Sequence, residues 1–460
     1  MPNRVGVTSR RAIPAVEKVL QSVQGADLPR SLVLAVVRRE LSALRAEKMI
    51  PPFEVIVQRI HDNFATIHRS RLQPVINGTG IIIHTNFGRA PLAQEAVVAL
   101  TSIASSYCNL EYDVSLGERG GRAAYLEQHI ALLCGAESAT VVNNCAAALV
   151  LIVRHFTKKK NEVVISRGEL VQIGGGFRIG EILEATGAKL REIGATNKTT
   201  IADYATAIGS NTAMILKVHR SNFFMSGFVA SPSSAEIGTL VRKKRIPFVE
   251  DLGSGAIMPT ERLGLSDHEP TPAETLKLGA DLVCFSGDKL FGAAQAGIIA
   301  GKTRFISALK REPFFRALRC DKLVLAALEA TVDLHLKNKT ESLPALALLR
   351  LSTDELRKRG EALIERLRGL SLEAHIGEGE AQIGGGALPR SVIQSVTLDL
   401  WSRDFSPNEL AARLRSCVPP VIGYVAKDRF KLDLRTILPE QDDEVVVALR
   451  TVSKTMRKVT

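Results

Sequence analysis

The stretch Asp281-Leu-Val-Cys-Phe-Ser-Gly-Asp-Lys289 decides the fold and sets a lysine just past a buried strand. Its first five residues form an apolar run that is typical of a strand buried on both faces. Ligands of α/β sheets bind beyond the carboxyl ends of such strands. Burial there lowers the pKa of a lysine, so Lys289 is predicted to act as a nucleophile and a base. The spacing Ser286-x-x-Lys289 alone is weak evidence, because serine-acylating enzymes also carry it.

Four more apolar runs, rich in β-branched residues, precede this stretch and alternate with helical segments. They are Ala139–Val142, Glu162–Ile165, Ala213–Val218 and Pro247–Glu250. Buried runs separated by helices predict a mostly parallel sheet in an α/β domain.

The ends of two of these runs carry candidate ligand-binding residues. Asn143-Asn144-Cys145 follows the first run and opens a helix, whose free N–H groups suit a phosphate, although a well-capped helix explains these residues equally. Asp251 follows the Pro247–Glu250 run and precedes glycines. A carboxylate there can keep a pyridine nitrogen protonated, and its alternative role is to cap a turn.

The order of these features along the chain favours one class of enzyme. A phosphate-type helix start, an aspartate at a strand end and then a lysine roughly 40 residues later is the order found in fold type I pyridoxal phosphate (PLP) enzymes. Ser286 can donate to the phosphate of that cofactor. Lys289 is therefore predicted to carry PLP.

The chain is predicted to contain three domains, because 460 residues exceed one ordinary core. Residues 1–70 form a helical domain, with helices at Ser31–Met49, capped by Ser31, and at Glu54–His68. Residues 71–335 form the α/β domain and residues 336–460 a small α+β domain. The latter is predicted from a helix at Leu343–Leu367, a surface loop at Gly377–Gly386, strands at Ser391–Leu398, Val421–Val425 and Phe430–Leu434, and a last helix at Glu440–Lys454.

Composition and charge restrict the class of protein further. Hydrophobic residues make up 45% and charged residues 23%, which is typical of a globular chain. No apolar run could span a bilayer, and Met1-Pro2-Asn3-Arg4 lacks an apolar signal, so a cytoplasmic location is expected. Six scattered cysteines without a CxxC pair predict reduced thiols and no metal site.

The net charge of the chain is +12, and residues 1–70 hold 11 Lys/Arg against 6 Asp/Glu. This basic excess permits a polyanionic partner, but it also fits a solvated helical face.

Across almost its whole length the sequence resembles the bacterial selenocysteine synthases, the L-seryl-tRNA(Sec) selenium transferase family. The motifs that carry the resemblance are Pro74–Asn77, His84-Thr-Asn-Phe-Gly-Arg-Ala90, Ser166-Arg-Gly-Glu-Leu170, Ile173–Gly175, Lys217-Val-His219, Ser221-Asn222, Asp251-Leu-Gly-Ser-Gly255, Phe285-Ser-Gly-Asp-Lys-Leu290, Gln295–Ile298, Arg316-Ala-Leu-Arg319, Leu325–Ala330, Pro420–Gly423 and Leu432–Arg435.

The resemblance implies a fold and an assembly. It implies the fold type I architecture, a mostly parallel seven-stranded sheet between helices, with a small C-terminal domain and an N-terminal helical domain that binds tRNA. It also implies a homodecamer built as five dimers.

The resemblance also assigns roles to individual residues. Lys289 is the Schiff-base lysine and Asp288 an active-site neighbour. Asp251 partners the ring nitrogen, and His219 neighbours the ring. The arginines implied to hold selenophosphate are Arg89, Arg316 and Arg319, of which the last two are expected on one helical face.

The reaction that the resemblance implies converts L-seryl-tRNA(Sec) to L-selenocysteinyl-tRNA(Sec) with selenophosphate. Lys289 removes the serine Cα proton, the hydroxyl is lost to give a PLP-bound aminoacrylyl intermediate, and selenium adds to its β-carbon. The chain departs from the family at Cys145, where an asparagine is usual. It also departs at Gly292-Ala-Ala-Gln295, where Gly-Gly-Pro-Gln is usual.

Three other functions compete with this interpretation. A PLP lyase acting on a small amino acid or amino sugar phosphate would use the same scaffold, but it has no use for a basic helical domain. A tRNA-binding protein without catalysis would not need Asp251, Ser286, Asp288 and Lys289 together. A nicotinamide dehydrogenase is disfavoured because no GxGxxG follows the first strand.

Overall fold

The computed structural model describes residues 12–23, 27–172 and 174–454. Two features of the sequence, the Met1–Arg4 start and Ile173, lie outside these residues. The chain divides into two compact units. One lies within Met1–Val75 and includes Arg415–Pro420, and the other comprises Ile76–Leu414 and Val421–Thr460.

In its described residues the first unit contains three helices, which are α1 (Val16–Ser22), α2 (Arg30–Leu44) and α3 (Phe53–Ser70). Their core is mostly aliphatic, with Val37, Leu44 and Ile60 fully buried and Phe64 packed among them. The prediction that Ser31 caps α2 is wrong. Pro29 occupies the N-cap with ψ 135°, so the helix begins at the next residue and Ser31 already lies inside it.

The second unit contains the other elements, numbered in chain order. Its helices are α4 (Gln94–Ala104), α5 (Ala124–Leu133), α6 (Cys145–Phe156), α7 (Ile179–Glu184), α8 (Ile201–Ala207), α9 (Ser234–Lys244), α10 (Pro272–Leu278), α11 (Thr303–Lys310), α12 (Pro313–Ala317), α13 (Lys322–Leu336), α14 (Pro344–Arg350), α15 (Thr353–Arg366), α16 (Pro407–Leu414) and α17 (Asp442–Lys454). Its strands are β1 (Ile76–Asn77), β2 (Ile81–Ile83), β3 (Tyr112–Asp113), β4 (Glu118–Arg119), β5 (Ser138–Val142), β6 (Glu162–Ser166), β7 (Lys189–Ile193), β8 (Thr212–Val218), β9 (Phe248–Gly253), β10 (Leu282–Ser286), β11 (Gly297–Gly301), β12 (Leu372–Gly384), β13 (Val392–Ser402), β14 (Val421–Ile422), β15 (Tyr424–Ala426) and β16 (Arg429–Asp433).

A seven-stranded sheet organises this unit, in the order β5-β11-β10-β9-β8-β6-β7. Only β11 runs antiparallel to its neighbours, β10 and β5. The five predicted strands are confirmed as β5, β6, β8, β9 and β10. Both faces are buried: Phe285 packs on one side and Cys284 on the other. This explains why the strands are apolar throughout instead of alternating.

A second sheet of five strands has the order β15-β16-β13-β12-β2. The prediction of a surface loop at Gly377–Gly386 is wrong, because β12 runs through most of it and pairs with β13. Its glycines serve close packing: a Cβ on Gly377 would meet the Asp399 carboxylate at 2.5 Å, and one on Gly379 would meet Thr397 Cγ2 at 2.8 Å. Only Gly385 and Gly386 lie beyond the strand.

The remaining C-terminal predictions are confirmed with one correction. Strands appear at the predicted positions as β13 and β16, the segment from Val421 forms two short strands, and α17 is the last helix. The single helix predicted at Leu343–Leu367 is instead two helices, α14 and α15. Ser352 separates them because its hydroxyl accepts from the backbone N–H of Glu355, and the Glu355 side chain accepts in return.

Candidate active site

A cavity of about 380 Å³ opens at the carboxyl ends of β8, β9 and β10, the size range of small-molecule sites. The sheet brings most of the predicted site residues together here although they are far apart in sequence. The predicted residues that line it are Arg89, Asn144, Cys145, His219, Asp251, Ser286, Asp288 and Lys289. Asn143, Arg316 and Arg319 are not among the lining residues.

Lys289 lies one short turn beyond β10. The turn is held at both ends, because the N–H of Gly287 donates to the Ala296 carbonyl (2.9 Å) and that of Leu290 to the Ser254 carbonyl (3.0 Å). Burial lowers the pKa of Lys289 below its usual range, and the nearby Arg89 guanidinium acts in the same direction. A larger fraction of the amine is therefore unprotonated near neutral pH than for an exposed lysine.

Arg89 is tied directly to the lysine turn. Its Nη1 donates to both carboxylate oxygens of Asp288, at 2.9 and 3.0 Å, and the N–H of Ala90 donates to the Asp288 carbonyl (3.2 Å). Arg89 itself adopts φ +67°, in the left-handed region that residues other than glycine rarely occupy. Asp288 thus anchors an arginine at the cavity and neutralises part of its charge.

Asp251 is the buried carboxylate of the cavity and lies within β9. Burial raises the pKa of Asp251, and the neighbouring Lys289 opposes that shift. The Cys145 thiol donates to Asp251 Oδ1 over 3.5 Å. The cysteine that replaces the family asparagine therefore contacts the carboxylate itself. On the backbone side, the N–H of His219 donates to the Asp251 carbonyl (2.8 Å) and fixes the end of β8 against β9.

The N-terminus of α6 forms one wall. Asn144 is its N-cap, and the side-chain oxygen accepts from the N–H of Ala147 at 2.8 Å. The N–H of Asn143 donates to the Leu318 carbonyl (2.9 Å) and is not free for a ligand. Because the N–H of Ala147 is occupied by this cap, the anion-binding groups that remain in the first turn are the N–H groups of Cys145 and Ala146.

Arg316 and Arg319 are placed differently from the other predicted residues. The expectation that they share one helical face is wrong, because α12 ends at Ala317 and Leu318 is its C-cap. Arg319 Nη1 pairs with Glu111 Oε1 at 3.3 Å, an oxygen that also pairs with Arg122 at 3.0 Å. Their predicted role in holding an anion stays a prediction.

Several residues that line the cavity were assigned no individual role from the sequence. Gly385 and Gly386 line it, as do Ser221, Asn222 and Gly253. Gly386 adopts φ +77°, and a Cβ there would stand 3.0 Å from Lys289 Nζ. The signal that could have found it is the run of three glycines at 384–386, which a surface loop does not require.

Glu169, from the Ser166–Leu170 motif, supports the end of β8. It is 3% exposed, and its Oε2 accepts from the N–H of Val218 at 3.1 Å, one residue before His219. Burial raises the pKa of Glu169 to about 7. The folded protein therefore binds more protons at this residue than the unfolded chain does.

The raised pKa predicts how stability depends on pH. Below the pKa of an unfolded glutamate, Glu169 makes its full contribution to the free energy of unfolding, roughly 3 kcal/mol. This contribution is lost as pH rises through about 7. The Glu169→Gln variant should therefore show a smaller fall in unfolding temperature between pH 5 and pH 8 than the unaltered chain. The exposed Glu181→Gln is the control. An unchanged fall in Glu169→Gln would contradict the assignment.

Comparison with known proteins shows which family this sequence matches. The sequence model of the family described as L-seryl-tRNA selenium transferase matches residues 75–438. An L-seryl-tRNA(Sec) selenium transferase of Geotalea uraniireducens is 41% identical over 97% of this chain and 100% of its own length. One of Clostridium perfringens is 44% identical over 83% of each chain.

Among solved structures, D-glucosaminate-6-phosphate ammonia-lyase has a TM-score of 0.57, with 20% identity over 84% of this chain and 97% of that one. At this identity the similarity shows the fold alone, and the fold type I architecture is confirmed. The matches in sequence cover nearly the whole chain at an identity that defines a family. This chain belongs to the L-seryl-tRNA selenium transferase family.

Proposed function

We propose that this protein converts L-seryl-tRNA(Sec) to L-selenocysteinyl-tRNA(Sec) with selenophosphate, using PLP held by Lys289. The observation that carries the proposal is the cavity at the strand ends. There a buried lysine with a lowered pKa lies beside a buried aspartate, in a chain of the selenium transferase family.

The residues present fit PLP. The cofactor needs an amine for its aldehyde, a carboxylate for its ring nitrogen and an anion site for its phosphate. Lys289 and Asp251 supply the first two, and the first turn of α6 with Ser286 supplies the third. The backbone also leaves room for a ring near the amine, since Gly253 and Gly386 have no side chains to fill the space around Lys289 Nζ.

When bound, PLP supplies an electron sink for the serine α-carbon. The carboxylate of Asp251 would hold the ring nitrogen and favour its protonated form. Lys289 Nζ, once released, takes the Cα proton of the seryl group, because it is the amine that lines the cavity. The same Nζ can return this proton to the leaving hydroxyl.

Arg89 is proposed to help hold selenophosphate, since its guanidinium lines the cavity and is fixed by Asp288. Arg316 and Arg319 are proposed for the same role. Neither lines the cavity within one chain, so this role requires that a second copy completes the site. Such sharing fits the proposed homodecamer of five dimers.

The helical unit within residues 1–75 is proposed to bind tRNA(Sec). Support comes from the basic excess of residues 1–70 and from exposed arginines on its helices, such as Arg38 and Arg69. A cytoplasmic location is proposed with it. No helix in the described part of the chain is long and apolar enough to cross a membrane.

The experiment that tests the proposed function is selenium transfer. The purified protein, loaded with PLP, is given selenophosphate and either seryl-tRNA(Sec) or another seryl-tRNA. Selenocysteinyl-tRNA should form only from seryl-tRNA(Sec). Turnover of a free amino acid or amino sugar phosphate, with none on the tRNA, would select the lyase instead.

Gly386 gives a prediction about the space around the lysine. Gly386→Ala should weaken PLP binding by about tenfold or more, because the new Cβ stands 3.0 Å from Lys289 Nζ. Gly264→Ala is the matched control, since Gly264 has the same φ of +77° and a methyl group there would meet no other atom within 4 Å. Titration with PLP by absorbance measures both. Equal PLP affinities in the two variants would show that position 386 requires only the backbone conformation of glycine and not the absence of a side chain.

A further inference from the structure

Glu269 is a buried carboxylate beside the cavity that the proposed reaction does not use. The residue is 1% exposed and lies in the loop that leads into α10. Its backbone N–H donates to Thr260 Oγ1 (3.1 Å), and that hydroxyl donates to the Asp267 carbonyl (2.7 Å). Thr260 is fully buried, so the loop holds the Glu269 backbone in place.

The carboxylate is directed at His219. Glu269 Oε1 lies 3.1 Å from His219 Nε2, within hydrogen-bonding distance. The two atoms form no hydrogen bond in this geometry, however, and Oε1 has no donor in the described part of the chain. A buried carboxylate oxygen without a donor is costly, whereas a small rotation of the imidazole would satisfy it.

His219 connects this carboxylate to the cavity. Its imidazole lines the cavity and is 27% exposed. Its backbone is fixed on both sides, because its N–H donates to the Asp251 carbonyl and its own carbonyl accepts from the N–H of Ser221, each at 2.8 Å. Rotation of the ring is therefore the freedom that remains, and Glu269 is placed to restrict it.

We propose that Glu269 is a positioning residue that sets the orientation and the tautomer of His219 for the bound cofactor. With Nε2–H donating to Glu269, the neutral ring keeps Nδ1 as its acceptor. The ring then presents a fixed edge to whatever occupies the cavity. This inference rests on the proposed function, in that PLP is the occupant.

The same loop provides a matched control. His268 Nδ1 lies 2.9 Å from Glu261 Oε1, and both side chains are 51% exposed. This pair has the same chemistry as His219 and Glu269, but it lies on the surface, where it is worth little. Glu261→Gln should therefore leave the cavity unchanged.

The test measures PLP affinity and the absorbance of bound PLP in Glu269→Gln, His219→Gln, the double variant and the control Glu261→Gln. Glu269→Gln should weaken PLP binding about tenfold, the effect of replacing a charge-assisted hydrogen bond with a neutral one, and should shift the absorbance maximum. In the His219→Gln background the same change should cost less than about twofold, because Glu269 acts through the histidine. A purely structural carboxylate would give the same loss in both backgrounds, and that result would overturn the proposal.

A second measurement covers the case in which Glu269→Gln does not fold. Nitrogen-15 spectra of histidine-labelled protein with bound PLP, assigned with His219→Gln, report which ring nitrogen of His219 carries the proton. The proposal requires Nε2–H, and Nδ1–H alone would overturn it. Failure of the unaltered chain to bind PLP would overturn both this inference and the proposed function. Normal binding with no effect of Glu269→Gln would overturn the inference only.

Discussion

Lys289→Ala should lower kcat for selenium transfer by at least about 10³-fold, because this one side chain is proposed both to hold the cofactor and to move the Cα proton. The loss should persist at saturating PLP, since added cofactor can occupy the cavity but cannot replace the base. The measurement is formation of selenocysteinyl-tRNA, with PLP absorbance recorded on the same samples.

A lysine outside the cavity provides the control. Lys277 is exposed at the end of α10, and Lys277→Ala should retain full activity and the unaltered spectrum. A Lys289→Ala protein with more than a few per cent of the original kcat would mean that another group is the base.

Asp251→Asn should lower kcat by about 10²-fold while the protein still binds PLP. A neutral amide cannot hold the proton on the ring nitrogen as a carboxylate does, and losing a hydrogen bond between charged groups costs about 1.5–3 kcal/mol. The absorbance of bound PLP should change with the protonation of its ring. Kinetics and spectra together separate this effect from loss of the cofactor.

Asp281→Asn is the matched control for this substitution. Asp281 is also 7% exposed, but it precedes β10 at the opposite end of the strand from the cavity, where it pairs with Lys302. Its substitution should lower stability and leave the spectrum of bound PLP unchanged. If both variants lost kcat equally with normal spectra, Asp251 would have no specific role at the ring.

Much of the fold could be predicted because its strands are buried on both faces. Continuous apolar runs mark β8, β9 and β10, and their order along the chain placed Asp251 and Lys289 at the same edge of the sheet. β7 was not singled out, since Lys189-Leu-Arg-Glu-Ile193 is an edge strand with exposed polar residues. Local sequence patterns predict a strand well where both of its faces are buried, and they predict it less well at the edge of a sheet.

What escaped prediction depends on contacts between distant segments. The glycines of β12 are typical of a loop when the sequence is considered alone. Their role in a strand becomes clear only from the β13 side chains that pack against them. Glu269 has no local signal that separates it from Glu274, which caps α10, because only the fold brings it to His219. Likewise Arg319 lies two residues beyond the end of α12, so it does not share a helical face with Arg316, and its partner Glu111 lies far away in sequence.

The most direct test of the central claim is borohydride reduction of the protein with bound PLP, followed by peptide mass spectrometry. We expect one pyridoxyl group per chain, on the peptide that contains Lys289. Lys217 is an informative competitor, since it is also largely buried but donates to Glu250 at 3.0 Å and does not line the cavity. Modification of Lys217, or no stable adduct at all, would contradict the assignment of Lys289 as the residue that holds the cofactor.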